Sequence, residues 1–337
     1  MIKLNKFNQL GFTMLELMIS LFVGAFILAG VMFTYLGMKI TTADTMDIGE
    51  LQESGRLAMD VLKRDIELAG FWGNFTETPS AAVLTNASPT SPSPDCSEGT
   101  NNGTFPDTGA GSNSAFKVIY AKEAASGNEL NCIGSPLAGS DILQIKRVLG
   151  QEVTGTTVTS NTYFTATPQT ARFIRGTGAV INPGINAKVW EYTHNAYFVQ
   201  DQTYTLNGKS VVVPTLRRMR LSNGQMRSET VMEGIENIRF VFGLDTNGDL
   251  RVDTYKTTAQ MSAIDWDQQS AVVSSVQIFL LVRTLEEDRN NPATNQTFIL
   301  GGEGDHKRVL TFNDGFRRKL LTSTVRLVNV GNDQWAI

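Results

Sequence analysis

Between Leu17 and Met38 lie 22 consecutive residues with no charged side chain, and no other feature constrains the chain as much. As an α-helix this stretch would extend roughly 33 Å at about 1.5 Å per residue, enough to cross the hydrocarbon core of a bilayer. Lys3 and Lys6 precede it and a long polar region follows. That asymmetry predicts a single pass through the inner membrane, N-terminus cytoplasmic and the bulk of the chain on the far side. Glu16 stands where the apolar run begins. A carboxylate in such a helix is expensive, so its presence argues for a use.

The string Gly11-Phe12-Thr13-Met14-Leu15-Glu16 resembles the class III signal of type IV prepilins: a short basic leader, cleavage after glycine, an N-methylated phenylalanine, and a glutamate fifth in the mature chain. An ordinary secretory signal is cut after its apolar region and discards it; this one would be cut before and keep the helix. The resemblance implies that residues 1–11 are a leader removed by prepilin peptidase and that Phe12 carries the new, methylated amine. It implies too that Glu16 is the assembly residue, neutralising the amine of a neighbouring subunit. Many major pilins carry a proline in this helix; here Gly24, Gly30 and Gly37 are its only weak points. Loss of the leader would remove Lys3 and Lys6 and shift the net charge of −4 towards a more acidic mature chain.

The helical period continues past the membrane. Ile48, Leu51, Gly55, Ala58, Leu62, Ile66 and Ala69 recur at steps of three or four, and charged residues occupy the other faces. Gly70 and Gly73, around Phe71-Trp72, mark the end of the helix. A membrane half over 12–38 followed by an amphipathic half over 39–70 is similar to the stem of pilins and pseudopilins. The stretch Glu53 to Phe71 resembles the corresponding part of the PilW family of minor pilins, as do the block Glu233 to Asp245 with its acidic loop and the region Lys319 to Asn329. The expected fold is α+β and type IV pilin-like: one long N-terminal helix packed on a mainly antiparallel β head over 71–337.

Within the head, β-branched and aromatic runs separated by turn signals predict strands, among them Ile142–Leu149, Lys188–Val199, Tyr204–Val213, Leu216–Leu221, Ile238–Leu244, Val272–Val282, Val309–Phe312 and Thr324–Asn329. Asn207-Gly208 and Asn223-Gly224 are hairpin dipeptides. Ser228–Glu236 and Asp314–Leu321 are weak helix candidates. Residues 85–114, rich in Ser, Thr, Asn, Gly and Pro, read as a surface loop.

Two cysteines and two histidines make a closed Cys/His zinc site improbable on composition. In an extracytoplasmic head Cys96 and Cys132 pair by default as a disulfide, with two free thiols as the alternative. The segment Asp245-Thr-Asn247-Gly-Asp249-Leu-Arg251-Val-Asp253 places oxygen-bearing side chains at alternate positions, with a carbonyl from Arg251, as a calcium loop requires. It resembles dockerin and EF-hand loops, except that Leu250 replaces the usual glycine and Lys256 the closing carboxylate. The other reading is an acidic hairpin turn built on Asn247-Gly248. Arg217, Arg218, Arg220 and Arg227 read either as a docking face for an acidic partner or nucleic acid, or as charges that discourage edge-to-edge strand pairing. No catalytic constellation is present in the sequence, and His194 reads as structural.

The PilW resemblance implies a non-catalytic, low-abundance subunit with no required cofactor, calcium aside. Its partners would be other minor pilins of the FimU, PilV, PilX and PilE types, a PilY-type tip adhesin, the major pilin, prepilin peptidase and the inner-membrane assembly platform. It would start in the inner membrane and end in the extracellular pilus tip, serving assembly, twitching, adhesion and, in some bacteria, DNA uptake. Two alternatives share the sequence features: a GspJ-type pseudopilin of type II secretion, and a calcium-dependent surface-binding module anchored by the helix.

Overall fold

A computed structural model describes residues 11–108, 114–153, 155, 157–206, 208–268, 270–288 and 294–330. Residues 1–10 of the leader, with Lys3 and Lys6, Asn207 of the first hairpin dipeptide and the last seven residues of the expected head lie outside the described residues. The chain divides into two units, Met1–Glu50 and Leu51–Ile337.

The first unit is helical from Met14. Helix α1 runs Met14–Glu67 and is apolar and long enough to cross a membrane by length and composition. Its apolar side chains up to residue 50 are exposed within the unit, Phe22 at 70% and Phe33 at 76% among them. Hydroxyls are accommodated by bonding back along the helix: Thr34 and Thr41 donate to the carbonyls of Gly30 and Gly37, which removes unsatisfied polar groups from an apolar surface.

The second unit holds the rest of α1 and the strands β1 (Ile119–Glu123), β2 (Asn128–Glu129), β3 (Ile133–Gly134), β4 (Asp141–Glu152), β5 (Thr162–Ala166), β6 (Ala171–Arg175), β7 (Lys188–Leu206), β8 (Lys209–Ser222), β9 (Gln225–Glu233), β10 (Ile235–Asp245), β11 (Thr254–Thr257), β12 (Val272–Arg283), β13 (Thr294–Leu300), β14 (Arg308–Asp314) and β15 (Arg318–Arg326), with one short helix, α2 (Ala263–Trp266). Every ladder between these strands is antiparallel. One sheet runs β1-β4-β7, where it forks: β5 and then β6 continue from the start of β7, while β8 and β9 continue from its later part. The second sheet is β11-β10-β12-β15, and β13 pairs with β14 as a separate ribbon.

From Leu51 onward the expected stripe of α1 is the buried one, Leu51, Gly55, Ala58, Leu62 and Ile66, joined by Met59 and Asp65, whereas Ile48, expected on the same stripe, is exposed. It packs between the two sheets, against Leu143, Ile145 and Tyr197 of one and Ile238, Phe240, Ile278 and Leu280 of the other. Gly55 permits that approach, because a Cβ there would sit 2.3 Å from Leu321 Cδ1 and 2.9 Å from Val282 Cγ2. Gly70, at φ +72, turns the chain out of the helix, and its N–H reaches the Lys146 carbonyl at 3.1 Å.

Three expectations need correction. Ser228–Glu236 is not a helix but most of β9 and the start of β10, and Asp314–Leu321 ends β14 and begins β15. Cross-strand partners outweigh weak local periodicity there. Residues 85–114 are not simply a surface loop: Cys96, Asn101, Asn102, Gly103, Thr104, Phe105 and Pro106 are buried. This segment covers the face of β4 and β7 that points away from α1. Its polar residues can be buried because they bond to Gln144, Lys146, Tyr192 and His194 on those strands. The Asn223-Gly224 turn forms as expected, with both residues at positive φ between β8 and β9.

Candidate functional site

Gly11 precedes the helix and Phe12 is 89% exposed, so the peptide bond expected to be cut lies in open, non-helical chain. Thr13 then caps the helix. Its backbone N–H and its hydroxyl both donate to Glu16 Oε2 at 2.9 Å, while Glu16 N–H donates to Thr13 Oγ1 at 3.3 Å. This reciprocal pattern is a capping box, and it satisfies donors that the first helical turn would otherwise leave bare. Glu16 is therefore held at the helix N-terminus, where the dipole favours a negative charge. Sequence reasoning found Glu16 but missed Thr13; the Thr-x-x-Glu spacing carried that signal.

A second site binds the amphipathic half of α1 to the head. Asp65, 3% exposed, accepts from Arg147 Nε at 2.6 Å, Asn195 Nδ2 at 2.7 Å and Tyr197 OH at 2.8 Å. Tyr197 also accepts from Arg218, which pairs with Glu229. Burial and the Asp65 charge hold the Tyr197 phenol well above its usual range. The periodicity places charged residues on the faces away from the stripe, yet Asp65, one position from Ile66, is buried with it.

Cys96 and Cys132 are joined in a disulfide, Cα to Cα 4.9 Å. Behind it the covering segment joins a polar group in which Thr104, Gln144 and His194 are buried and Asp95 is half-buried. Thr104 Oγ1 donates to Asp95 Oδ1 at 2.5 Å and meets His194 Nδ1 at 2.9 Å, and Gln144 Nε2 lies 2.7 Å from His194 Nε2. His194 is held well below the ordinary histidine value, first by burial and then by the Lys146 charge.

The acidic loop is closed by its own backbone. Asp245, 4% exposed, accepts the N–H groups of Asn247, Gly248 and Leu250 at 3.2, 2.7 and 2.8 Å. Asn247 accepts from Asp249 N–H, Asp249 from Arg251 N–H, and Asp253 from both the N–H and the hydroxyl of Thr246. The Thr246 bonds hold the Asp253 carboxyl below its usual range. Leu250 adopts φ +65 where a glycine would be at ease. Among the described residues no three His, Cys, Asp or Glu side chains gather in a way that could hold a metal ion.

The arginine cluster has partners throughout: Arg217 on Gln200, Arg218 on Glu229 and Tyr197, Arg220 beside Glu191 at 4.0 Å, and Arg227 on Gln225. Arg217, Arg218 and Arg220 lie on β8, which is paired on both sides by β7 and β9, and only Arg227 lies on the edge strand β9, so the edge-shielding expectation applies to Arg227 alone.

Residues 196–329, from the middle of β7 past β15, match the family model described as Type IV Pilus-assembly protein W, and residues 6–32 match the prokaryotic N-terminal methylation motif. No curated protein and no solved structure matches the chain.

Proposed function

We propose that the chain, whose residues 196–329 match the PilW family model and 6–32 the N-terminal methylation motif, is a type IV pilin of the PilW kind: a non-catalytic subunit of the minor-pilin complex that primes pilus assembly and then occupies the tip. The observation that carries this reading is the conjunction of two matched regions on one chain: a processing and methylation signal on an apolar helix long enough to cross a membrane, and a region that matches the PilW model within the head. Prepilin peptidase would cut after Gly11, and the amine of Phe12 and the carboxylate of Glu16 would then pair between neighbouring subunits. Oε1 of Glu16 is the oxygen left for this, since both Thr13 bonds fall on Oε2. The anchor would hold the precursor in the inner membrane with its head in the periplasm until assembly. Other minor pilins, a PilY-type adhesin and the major pilin are the partners this role requires, with twitching and adhesion as its consequences.

The test is a chromosomal deletion scored for surface pili, twitching and exoprotein secretion, complemented with wild type, Gly11→Ala and Glu16→Ala. Loss of pili and twitching is expected, with Gly11→Ala left unprocessed and Glu16→Ala processed but unassembled. Intact pili with lost secretion would overturn the reading in favour of a type II secretion pseudopilin.

A further inference from the structure

Lys146 of β4 is 0% exposed, and its amine donates to two acceptors, Asn102 Oδ1 at 3.1 Å and the Lys117 carbonyl at 2.7 Å. Among the described residues it makes no ion pair; two donors and a free lone pair are what a neutral amine offers in such a place. Burial and the neighbouring Lys117 charge lower its pKa to about 7. Lys117, by contrast, keeps an anionic partner in Asp267 at 2.7 Å. The Asn102 side chain is also 0% exposed and is fixed from its other end, Nδ2 donating to the Glu98 carbonyl at 3.2 Å. Phe116 closes the pocket, its ring centre 5.1 Å from the amine. A desolvated amine is thus held against a desolvated carboxamide, and holding reacting groups in contact removes much of the entropic barrier to their reaction.

We propose that Lys146 and Asn102 are a modification site, joined by an intramolecular isopeptide bond that ties the covering segment to β4. The lone pair of Nζ adds to Cγ of Asn102, the Nζ–Cγ bond forms and the Cγ–Nδ2 bond breaks. The departing nitrogen takes one proton from Nζ and leaves as ammonia. Nothing is oxidised or reduced and no co-reactant is consumed. The Asp95 carboxylate, whose field already acts on Lys146, favours the cationic nitrogen that develops during attack. The bond would reinforce the segment that the Cys96–Cys132 disulfide anchors at one end, and unlike the disulfide it would resist reductant.

Intact-mass measurement on the full mature chain, purified in detergent, tests this directly. The expected mass is lower, by one ammonia, than that of the processed, disulfide-bonded sequence, and a reduced digest should contain a branched peptide linking residues 102 and 146. Lys146→Met and Asn102→Ala should each restore the missing mass. A wild-type chain of full mass with no branched peptide overturns the proposal, whether or not the variants fold. Loss of ammonia that persists in Lys146→Met also overturns it, because it would mark a succinimide at Asn102-Gly103.

Discussion

Replacing Asp65 with alanine should unfasten the stem from the head. The carboxylate accepts three hydrogen bonds, one from a guanidinium, in a setting 3% exposed. Among the described residues, its removal leaves Arg147, whose side chain is 12% exposed, with the Val148 carbonyl at 3.2 Å. Three bonds to a charged acceptor would sum to about 5–9 kcal/mol if each contributed about 1.5–3, but bonds in one network are not additive. Breaking a buried ion pair from one side costs about 3–5 kcal/mol, and that is the expected loss. Since whole domains are stable by only about 5–15 kcal/mol, the variant should be near the edge of folding. Urea unfolding of the mature protein in micelles, followed by fluorescence of buried Trp72 and Trp190, measures it. Asp65→Ala/Arg147→Met should recover at least about 1 kcal/mol relative to the sum of the single changes, because the stranded cation is gone. A single-variant loss below about 1 kcal/mol, or strict additivity in the double variant, would refute the clamp.

Acidification should weaken the head through His194. Its folded pKa is depressed, so the unfolded chain binds the extra proton below the ordinary histidine value of about 6.5, and stability falls as pH drops through that range; melting curves from pH 7 to 5 should show the fall, and His194→Gln should flatten it. Lys146, while still a free amine, adds a rise in stability from about pH 7 towards alkaline pH, because there the unfolded chain holds the extra proton; a cross-linked chain should lack that rise. Asp245→Ala should cost about 1–3 kcal/mol in calcium-free buffer, since it strands three backbone donors. If wild type instead melts higher only when calcium is added, and the variant loses only that increment, the loop is a cation site and not a self-closed turn. Cys96→Ser should lower stability by about 3–4 kcal/mol on the loop-entropy account of a 36-residue separation, with chemical unfolding as the check.

The sequence by itself determined the parts whose physics is local. An uncharged run long enough for a bilayer, a glycine-phenylalanine site before it, and a stripe at steps of three and four each specify structure within a few residues of themselves. The same holds for Gly70 as a helix terminator and for the Asn223-Gly224 turn, where only the backbone's own preferences are at issue. The disulfide was legible for a simpler reason: two cysteines allow one pairing.

Tertiary structure alone decided which polar residues go inside. Asn102, Thr104, Gln144, Lys146 and His194 look like ordinary loop and strand polarity along the chain, and they are buried because partners 42 to 90 residues away satisfy them. Asp65 finds Asn195 and Tyr197 at separations of 130 and 132. Beyond Ser228 and Asp314 the local pattern was ambiguous, and strand pairing to β8 and β12 settled it. Burying an unpaired polar group costs several kcal/mol and burying a paired one costs little. The inside of this head is therefore set by where distant strands place their donors and acceptors, which no window of the sequence contains.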